Sequence, residues 1–147
     1  MKTRYRNPIL TIGLMVLVLA TMSQAEVNPT PFVKLFKGDV YINGQPAPTG
    51  TIIDAYDPDS VHCGTFTVGS IIDSVGIYGY LRVYGDDTWT PAIDEGAESG
   101  DVITFKINGL VAETDVISGS VYWYDKDISE INLSVENVVV DFSIIYP

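Results

Sequence analysis

Short stretches in which apolar and polar residues alternate recur along this chain, and turn signals separate them roughly every 8–12 residues. Two of these stretches, Tyr80–Tyr84 and Val102–Ile107, flank a long acidic connection. Alternation with a period of two places every second side chain on the same face of a strand. No window of about eleven residues shows an uninterrupted helical period. The sequence therefore predicts an all-β chain that folds as an antiparallel β-sandwich of about 7–9 strands.

Two Asn-Gly pairs predict tight hairpins. Asn43-Gly44 and Asn108-Gly109 each follow an isoleucine, and both residues of such a pair tolerate the positive φ that a two-residue hairpin needs. The strand after the second hairpin is expected to be short. The predicted strands are 33–42 (or two shorter strands separated at Gly38), 51–56, 62–68, 77–84, 102–107, 110–112, 118–124, 131–135 and 137–146, the last with Val138, Val140, Phe142 and Ile144 on one face.

Residues 1–25 have the pattern of a secretory signal peptide. Basic residues within the first six positions precede an apolar run, Ile9–Ala20, and Ala25 suits the cleavage position. The alternative is an anchor that is not cleaved, although the run is shorter than the ~20 residues that span a bilayer. We therefore predict a signal peptide (1–25), an extended leader (26–31) and one β-sandwich domain (32–147). The predicted location is extracellular or at the cell surface, with the periplasm as an alternative.

The charge of the chain narrows the classes of partner. All 19 acidic residues lie after residue 25, whereas three of the eight basic residues lie before it, so the net charge falls from −11 to −14 on cleavage. Such a surface repels nucleic acid and anionic lipid. We therefore expect no nucleic-acid partner and no membrane insertion after signal cleavage. An extracellular protein or a glycan is the expected partner.

The single cysteine, Cys63, cannot form an internal disulfide, and we expect it to be buried. Its neighbour His62 could suggest a thiol nucleophile with its base. Adjacent residues of a strand point to opposite faces, so the thiol and the imidazole are not expected to meet.

The connection between Tyr84 and Asp101 is rich in carboxylates. Calcium takes six to eight oxygen ligands, and loops between strands supply them without regular spacing. The candidate function is a structural calcium site that holds the loop rigid. Alternatives are a solvated acidic loop and, third, a catalytic carboxylate pair of the glycosidase kind. The candidate ligands are Asp86, Asp87, Asp94, Glu95 and Asp101, and further oxygens come from Asp54, Asp57 and Asp59 and from Asp125, Asp127 and Glu130.

The two tryptophans lie in different sequence contexts. Trp123 lies between Tyr122 and Tyr124 in a predicted strand, and alternation favours packing of Trp123 into the core. Trp89 lies within the acidic connection, where it is either a loop anchor or an exposed platform. Exposed aromatic rings stack on sugars, so Trp89 is the candidate ligand-binding residue of a carbohydrate-binding module.

Several segments resemble a known group of domains. The stretch Gly38–Thr51 (GDVYINGQPAPTGT), together with Cys63-Gly64, Tyr78–Tyr80 and Gly100–Ala112, is similar to small secreted bacterial modules of the carboxypeptidase-regulatory-like or transthyretin-like (prealbumin-like) group. The resemblance covers Gly38–Ala112. It implies an immunoglobulin-like or prealbumin-like sandwich that acts without catalysis, often as an accessory part of larger extracellular proteins.

An adhesin-type isopeptide bond is a further alternative. It would join Lys34 or Lys37 to Asn137 and needs an acidic residue beside the pair. The predicted function remains a non-catalytic secreted or cell-surface binding or structural module, in which calcium stabilises the acidic connection. The alternative is a carbohydrate-binding module, and an enzyme ranks third.

Overall fold

The computed structural model describes residues 26–70 and 74–136. Every regular element in these ranges is a β-strand, and the strands form two packed sheets, which confirms the predicted β-sandwich. The predicted signal peptide (1–25) and the last predicted strand (137–146) lie outside the described residues. Among the described residues, no helix is long and apolar enough to cross a membrane.

The first sheet is built around its longest strand, β1. One side of β1 pairs with β5 and, at its end, with β2; the other side pairs with β9, which in turn pairs with β8. All these pairs are antiparallel except β1 with β9, which is parallel. The strands of this sheet are β1 (Val33–Ile42), β2 (Gln45–Pro46), β5 (Ile77–Tyr84), β8 (Glu113–Ser118) and β9 (Ile128–Val135).

The second sheet has the strand order β4-β3-β6-β7, and all its pairs are antiparallel. Both predicted Asn-Gly hairpins form as expected. Asn43 and Gly44 have φ of 52° and 71° between β1 and β2, and Asn108 and Gly109 have φ of 48° and 83° between β6 and β7. The strands are β3 (Ile52–Tyr56), β4 (His62–Thr67), β6 (Thr104–Ile107) and β7 (Leu110–Val111).

The core lies between the inner faces of the two sheets. Phe36 of β1 meets Phe105 of β6 edge to face, with ring centroids 5.1 Å apart. Tyr78 is fully buried, and its hydroxyl donates to the carbonyl of Ile131 at 2.5 Å. Burying a large aromatic side chain removes 150–250 Å² from water, so such contacts dominate the stability of a small sandwich. The inward-facing side chains of both sheets therefore form one shared core.

The predicted strand Ser118–Tyr124 is wrong in its position. β8 ends where that strand was expected to begin, and Gly119 then takes a left-handed φ of 79°. A Cβ at Gly119 would lie 2.3 Å from Oγ of Ser129, so the chain passes too close to β9 for any larger residue. The following segment leaves the first sheet and joins the second through a Val102–Tyr122 bridge.

Candidate functional site

The segment Gly85–Gly100, which we call the acidic loop, is closed at its base by backbone hydrogen bonds. The amide of Asp86 donates to the carbonyl of Ala97 at 3.0 Å, and the amide of Ala97 donates to the carbonyl of Tyr84 at 3.1 Å. Gly85 and Ala97 form an isolated parallel bridge. The two ends of the loop are therefore held together directly beyond the end of β5.

The side chain of Trp123 packs against the base of the acidic loop. Its side chain is 4% exposed, which confirms the predicted core position, and its indole N–H donates to the carbonyl of Val83 at 2.9 Å. A Cβ at Gly85 would lie 2.3 Å from the Trp123 ring. Glycine is therefore required at the point where the acidic loop crosses the indole.

Three of the five predicted calcium ligands form hydrogen bonds inside the acidic loop. Oδ1 of Asp86 accepts from the amide of Glu95 at 3.3 Å, and Oε2 of Glu95 accepts from the amide of Asp87 at 3.4 Å. Oε1 of Glu95 accepts from the hydroxyl of Thr90 at 2.5 Å. These carboxylates thus tie the two halves of the loop together across its width.

The carboxylates of the other two predicted ligands, Asp94 and Asp101, act on different neighbours. Asp94 acts on the buried Asp57, whose pKa is raised by its burial and further by the charge of Asp94. Asp101 accepts from the amide of Glu98 through Oδ2 at 2.7 Å, at the exit of the loop. Within 26–70 and 74–136, no group of three or more His, Cys, Asp or Glu side chains is placed to hold a metal. The calcium site therefore stays a prediction.

Trp89 lies at the outer part of the acidic loop with 85% of its surface exposed. Oδ1 of Asp87 accepts from the amide of Trp89 at 3.0 Å, the local turn that an aspartate forms with a residue two positions on. Of the two sequence alternatives for Trp89, the structure shows the exposed platform.

A cleft of about 500 Å³ lies beside the acidic loop. Its aromatic wall consists of Phe32 and Trp123, and three carboxylates line it. The sequence pattern had not singled out Phe32, because the cleft joins segments about ninety residues apart. The carboxylates are Asp86, Glu98 and Asp125, and the hydroxyls are those of Thr88 and Ser99.

Hydrogen bonds from residues 30 and 33 fix Gly85 and Asp125 beside this cleft. The hydroxyl of Thr30 donates to the carbonyl of Gly85 at 2.7 Å, and the amide of Val33 donates to Oδ1 of Asp125 at 3.0 Å. The sequence grouped Asp125 with Asp127 and Glu130 as a source of oxygens. The structure separates them, because Asp127 pairs with Lys34 and Glu130 pairs with Lys37.

Lys34 is fully buried beneath the same segment. Its ammonium donates to the carbonyls of Ser120 (3.1 Å) and Tyr122 (2.6 Å) and to Oδ2 of Asp127 (2.8 Å). The hydrogen bond from Lys34 lowers the pKa of Asp127. An ammonium whose three N–H groups are all donated has no lone pair for attack on an amide, so the geometry favours an ion pair over the isopeptide alternative. The proposed partner Asn137 lies outside the described residues.

His62 and Cys63 lie on opposite faces of β4, as expected. Cys63 belongs to the core, and its burial raises the pKa of the thiol to about 12. His62 is 8% exposed, and its Nε2 lies 3.0 Å from Oδ1 of the buried Asp54. The ring of Tyr56 stacks on the imidazole at 4.9 Å. A buried thiol of this kind is inert, so the pair offers no thiol nucleophile.

Comparisons with protein-family models, with curated proteins and with solved structures found no match to this chain. The resemblance to carboxypeptidase-regulatory-like modules therefore stays a prediction from the sequence.

Proposed function

We propose that this protein is a non-catalytic, secreted or cell-surface binding module, and that its ligand contacts the acidic loop and the adjacent cleft. The observation that supports this most is that a surface loop of sixteen residues, 85–100, is fixed at its base, across its width and against Trp123. A preformed concave surface loses little conformational freedom when a ligand binds.

The use of the carboxylates supports binding over catalysis. Asp86 and Asp125 at the cleft accept hydrogen bonds from backbone amides, and so does Glu95 within the loop. A glycosidase pair would instead place two carboxyl groups on either side of a substrate bond, one of them able to donate a proton. These carboxylates accept from backbone amides of the loop and of β1, and their remaining lone pairs can accept from ligand hydroxyl or ammonium groups.

The exposure of Trp89 favours a carbohydrate as the ligand. An indole that is 85% exposed leaves a large apolar surface in water, and stacking of a sugar ring would cover it. Thr88 precedes the indole in the sequence and offers a hydroxyl group, whereas the hydroxyl of Thr90 donates within the loop. An extracellular protein that inserts an apolar side chain between Trp89 and the cleft is the other partner class.

A glycan array with the purified protein tests this proposal. We expect one class of oligosaccharide to bind, and we expect Trp89→Ala to weaken that binding about tenfold or more, that is by about 1.4 kcal/mol, because the variant removes the aromatic surface on which the sugar stacks. Trp89→Phe keeps a stacking surface and should retain part of the affinity. Binding that is the same in Trp89→Ala as in the wild type would contradict the placement of the site.

A further inference from the structure

A second groove, of about 400 Å³, lies where the edges of β4 and β5 meet. The two strands approach closely: a Cβ at Gly64 would lie 2.2 Å from the carbonyl oxygen of Arg82. Tyr80, Arg82 and Tyr84 of β5 line one side, and Thr65 and Thr67 of β4 line the other. We call this the Tyr80 groove. It shares no lining residue with the cleft beside the acidic loop.

A β-bulge aims Tyr80 into this groove. Phe36 of β1 pairs with Leu81 and Gly38 pairs with Tyr78, so two residues of β5 oppose the single Lys37. Tyr80 is one of these two residues, and it has a left-handed φ of 54°, which is uncommon for a residue other than glycine. Bulges redirect side chains and are frequent beside functional sites. The result here is a tyrosine that is 58% exposed in the middle of a strand.

After the bulge, three side chains line up along one face of β5. Tyr80, Arg82 and Tyr84 alternate with the buried Leu81 and Val83. At a rise of about 3.4 Å per residue, successive members of this row lie about 7 Å apart. An arginine is therefore flanked on both sides by a phenol ring along the wall of the groove.

Arg82 differs from the other basic side chains that the structure describes. Lys34, Lys37 and Lys126 each pair with a carboxylate, and Lys106 lies over the ring of Tyr56. Within residues 26–70 and 74–136, the side chain of Arg82 makes neither a hydrogen bond nor an ion pair, although its backbone pairs with β1. No carboxylate is among the described residues that line its groove. In a chain of net charge −11, this groove therefore holds a guanidinium that no described side chain neutralises.

We propose that the Tyr80 groove binds an acidic sugar unit of a glycan through its carboxylate. The planar guanidinium of Arg82 presents N–H donors in the fork that matches a carboxylate with two parallel hydrogen bonds. The rings of Tyr80 and Tyr84 offer apolar surfaces to the C–H face of a sugar, and the hydroxyls of Thr65 and Thr67 face its hydroxyl groups. The site is independent of the proposed function of the acidic loop, since neither its residues nor its ligand contacts involve that loop.

Titration of the purified protein with trigalacturonate, followed by NMR or calorimetry, tests the site, and maltotriose serves as the neutral sugar. We expect trigalacturonate to bind, maltotriose to bind at least about tenfold more weakly, and Arg82→Gln to weaken trigalacturonate binding about tenfold or more. Because Arg82 has no partner inside the described fold, its replacement should leave the folded state intact. Tyr80→Ala should also weaken binding.

Two further variants test whether binding of trigalacturonate depends only on the net charge of the protein or on the acidic loop. Lys106→Gln removes the same charge outside the groove and should leave the affinity for trigalacturonate within about twofold of the wild type. Trp89→Ala should not change it. The proposal is overturned if trigalacturonate does not bind, if maltotriose binds equally well, or if Arg82→Gln and Lys106→Gln have equal effects.

Discussion

The residues that support the base of the acidic loop and the residues of its outer part are of the same kinds but lie in opposite environments. Each part has a tryptophan, but Trp123 at the base is 4% exposed and Trp89 in the outer part is 85% exposed. The indole of Trp123 packs beneath Gly85 and donates to a core carbonyl, whereas the side chain of Trp89 has no described partner in the core. Burial, not residue type, therefore decides which of the two side chains stabilises the fold and which is free to contact a ligand.

The charged residues show the same difference. Beneath the base, Lys34 is fully buried and all three of its N–H groups are donated to fixed acceptors. In the outer part, Asp87 and Glu95 accept backbone and hydroxyl hydrogen bonds close to solvent. When a buried polar group loses its hydrogen-bond partner, the fold is destabilised by the full cost of desolvating that group. At the surface, water replaces the lost partner. Substitutions in the outer loop should therefore change the stability of the fold little, whereas substitutions of the buried residues that support the base should lower it strongly.

The two tryptophans should give the largest contrast. Trp123→Ala removes a buried aromatic side chain and leaves a cavity under Gly85, so we expect it to lower the free energy of unfolding by about 3–5 kcal/mol. Trp89→Ala should change it by no more than about 0.5 kcal/mol, because the side chain is exposed. Urea unfolding followed by far-UV circular dichroism measures both. A similar loss in the two variants would show that the outer loop contributes to the core.

A second contrast compares a buried lysine with an exposed one on the same strand. Lys34→Met leaves two carbonyls and Asp127 without their donor, and we expect a loss of about 3 kcal/mol. Lys37→Met breaks a pair with Glu130 in which both side chains are about 40% exposed, and we expect a change of at most about 1 kcal/mol. Midpoints from urea unfolding compare the variants. If Lys34→Met were as stable as the wild type, the ammonium would not be structurally important.

The fold followed from the sequence where its signals were local. Alternation predicted the sandwich, and the Asn-Gly pairs gave both tight hairpins, because positive φ at Asn43 or Asn108 depends only on the residues of the turn. The strand expected at 118–124 was misplaced for a non-local reason. Ser129 leaves no room for a side chain at Gly119, and only the folded chain brings these two residues within contact distance.

The candidate site was predicted less completely than the fold. The sequence located the acidic loop and Trp89, but the carboxylate composition could not show that the charge of Asp94 raises the pKa of Asp57 while Asp86 and Glu95 tie the loop together. The cleft was missed because it joins Phe32 and Asp125 across about ninety residues of chain. No local pattern marks a residue whose role depends on such a contact.

Two aspartates should shift the pH dependence of stability in opposite directions. Burial raises the pKa of Asp57 above 3.8, so the folded state holds its proton longer and this group makes the fold less stable as pH rises through the raised value. Lys34 lowers the pKa of Asp127, so its stabilisation is present above pH 3.8 and is lost as pH falls through the lowered value. The two groups therefore oppose each other in acid.

Asparagine variants separate these two effects in urea unfolding from about pH 3 to 7. Relative to the wild type, Asp57→Asn should become more stable as pH rises, because asparagine has no proton to hold. Asp127→Asn should become less stable over the same range. Parallel curves for Asp57→Asn and the wild type would mean that Asp57 is not desolvated in the folded protein.

Calcium should have the smallest effect on the fold. A site occupied at a hundredfold excess over Kd would stabilise the protein by about 2.7 kcal/mol and move the midpoint by several degrees. Because no group of three such side chains is placed to hold a metal in the part of the chain that the structure describes, and several candidate ligands already accept loop hydrogen bonds, we expect the melting temperature to differ by less than about 1 °C between excess EDTA and millimolar Ca²⁺. Mg²⁺ at the same concentration controls for general screening of the acidic surface. A rise of several degrees with Ca²⁺ alone, absent in the variant with both Asp86→Asn and Asp87→Asn, would establish the calcium site predicted from the sequence and show that the outer loop rearranges to gather its carboxylates.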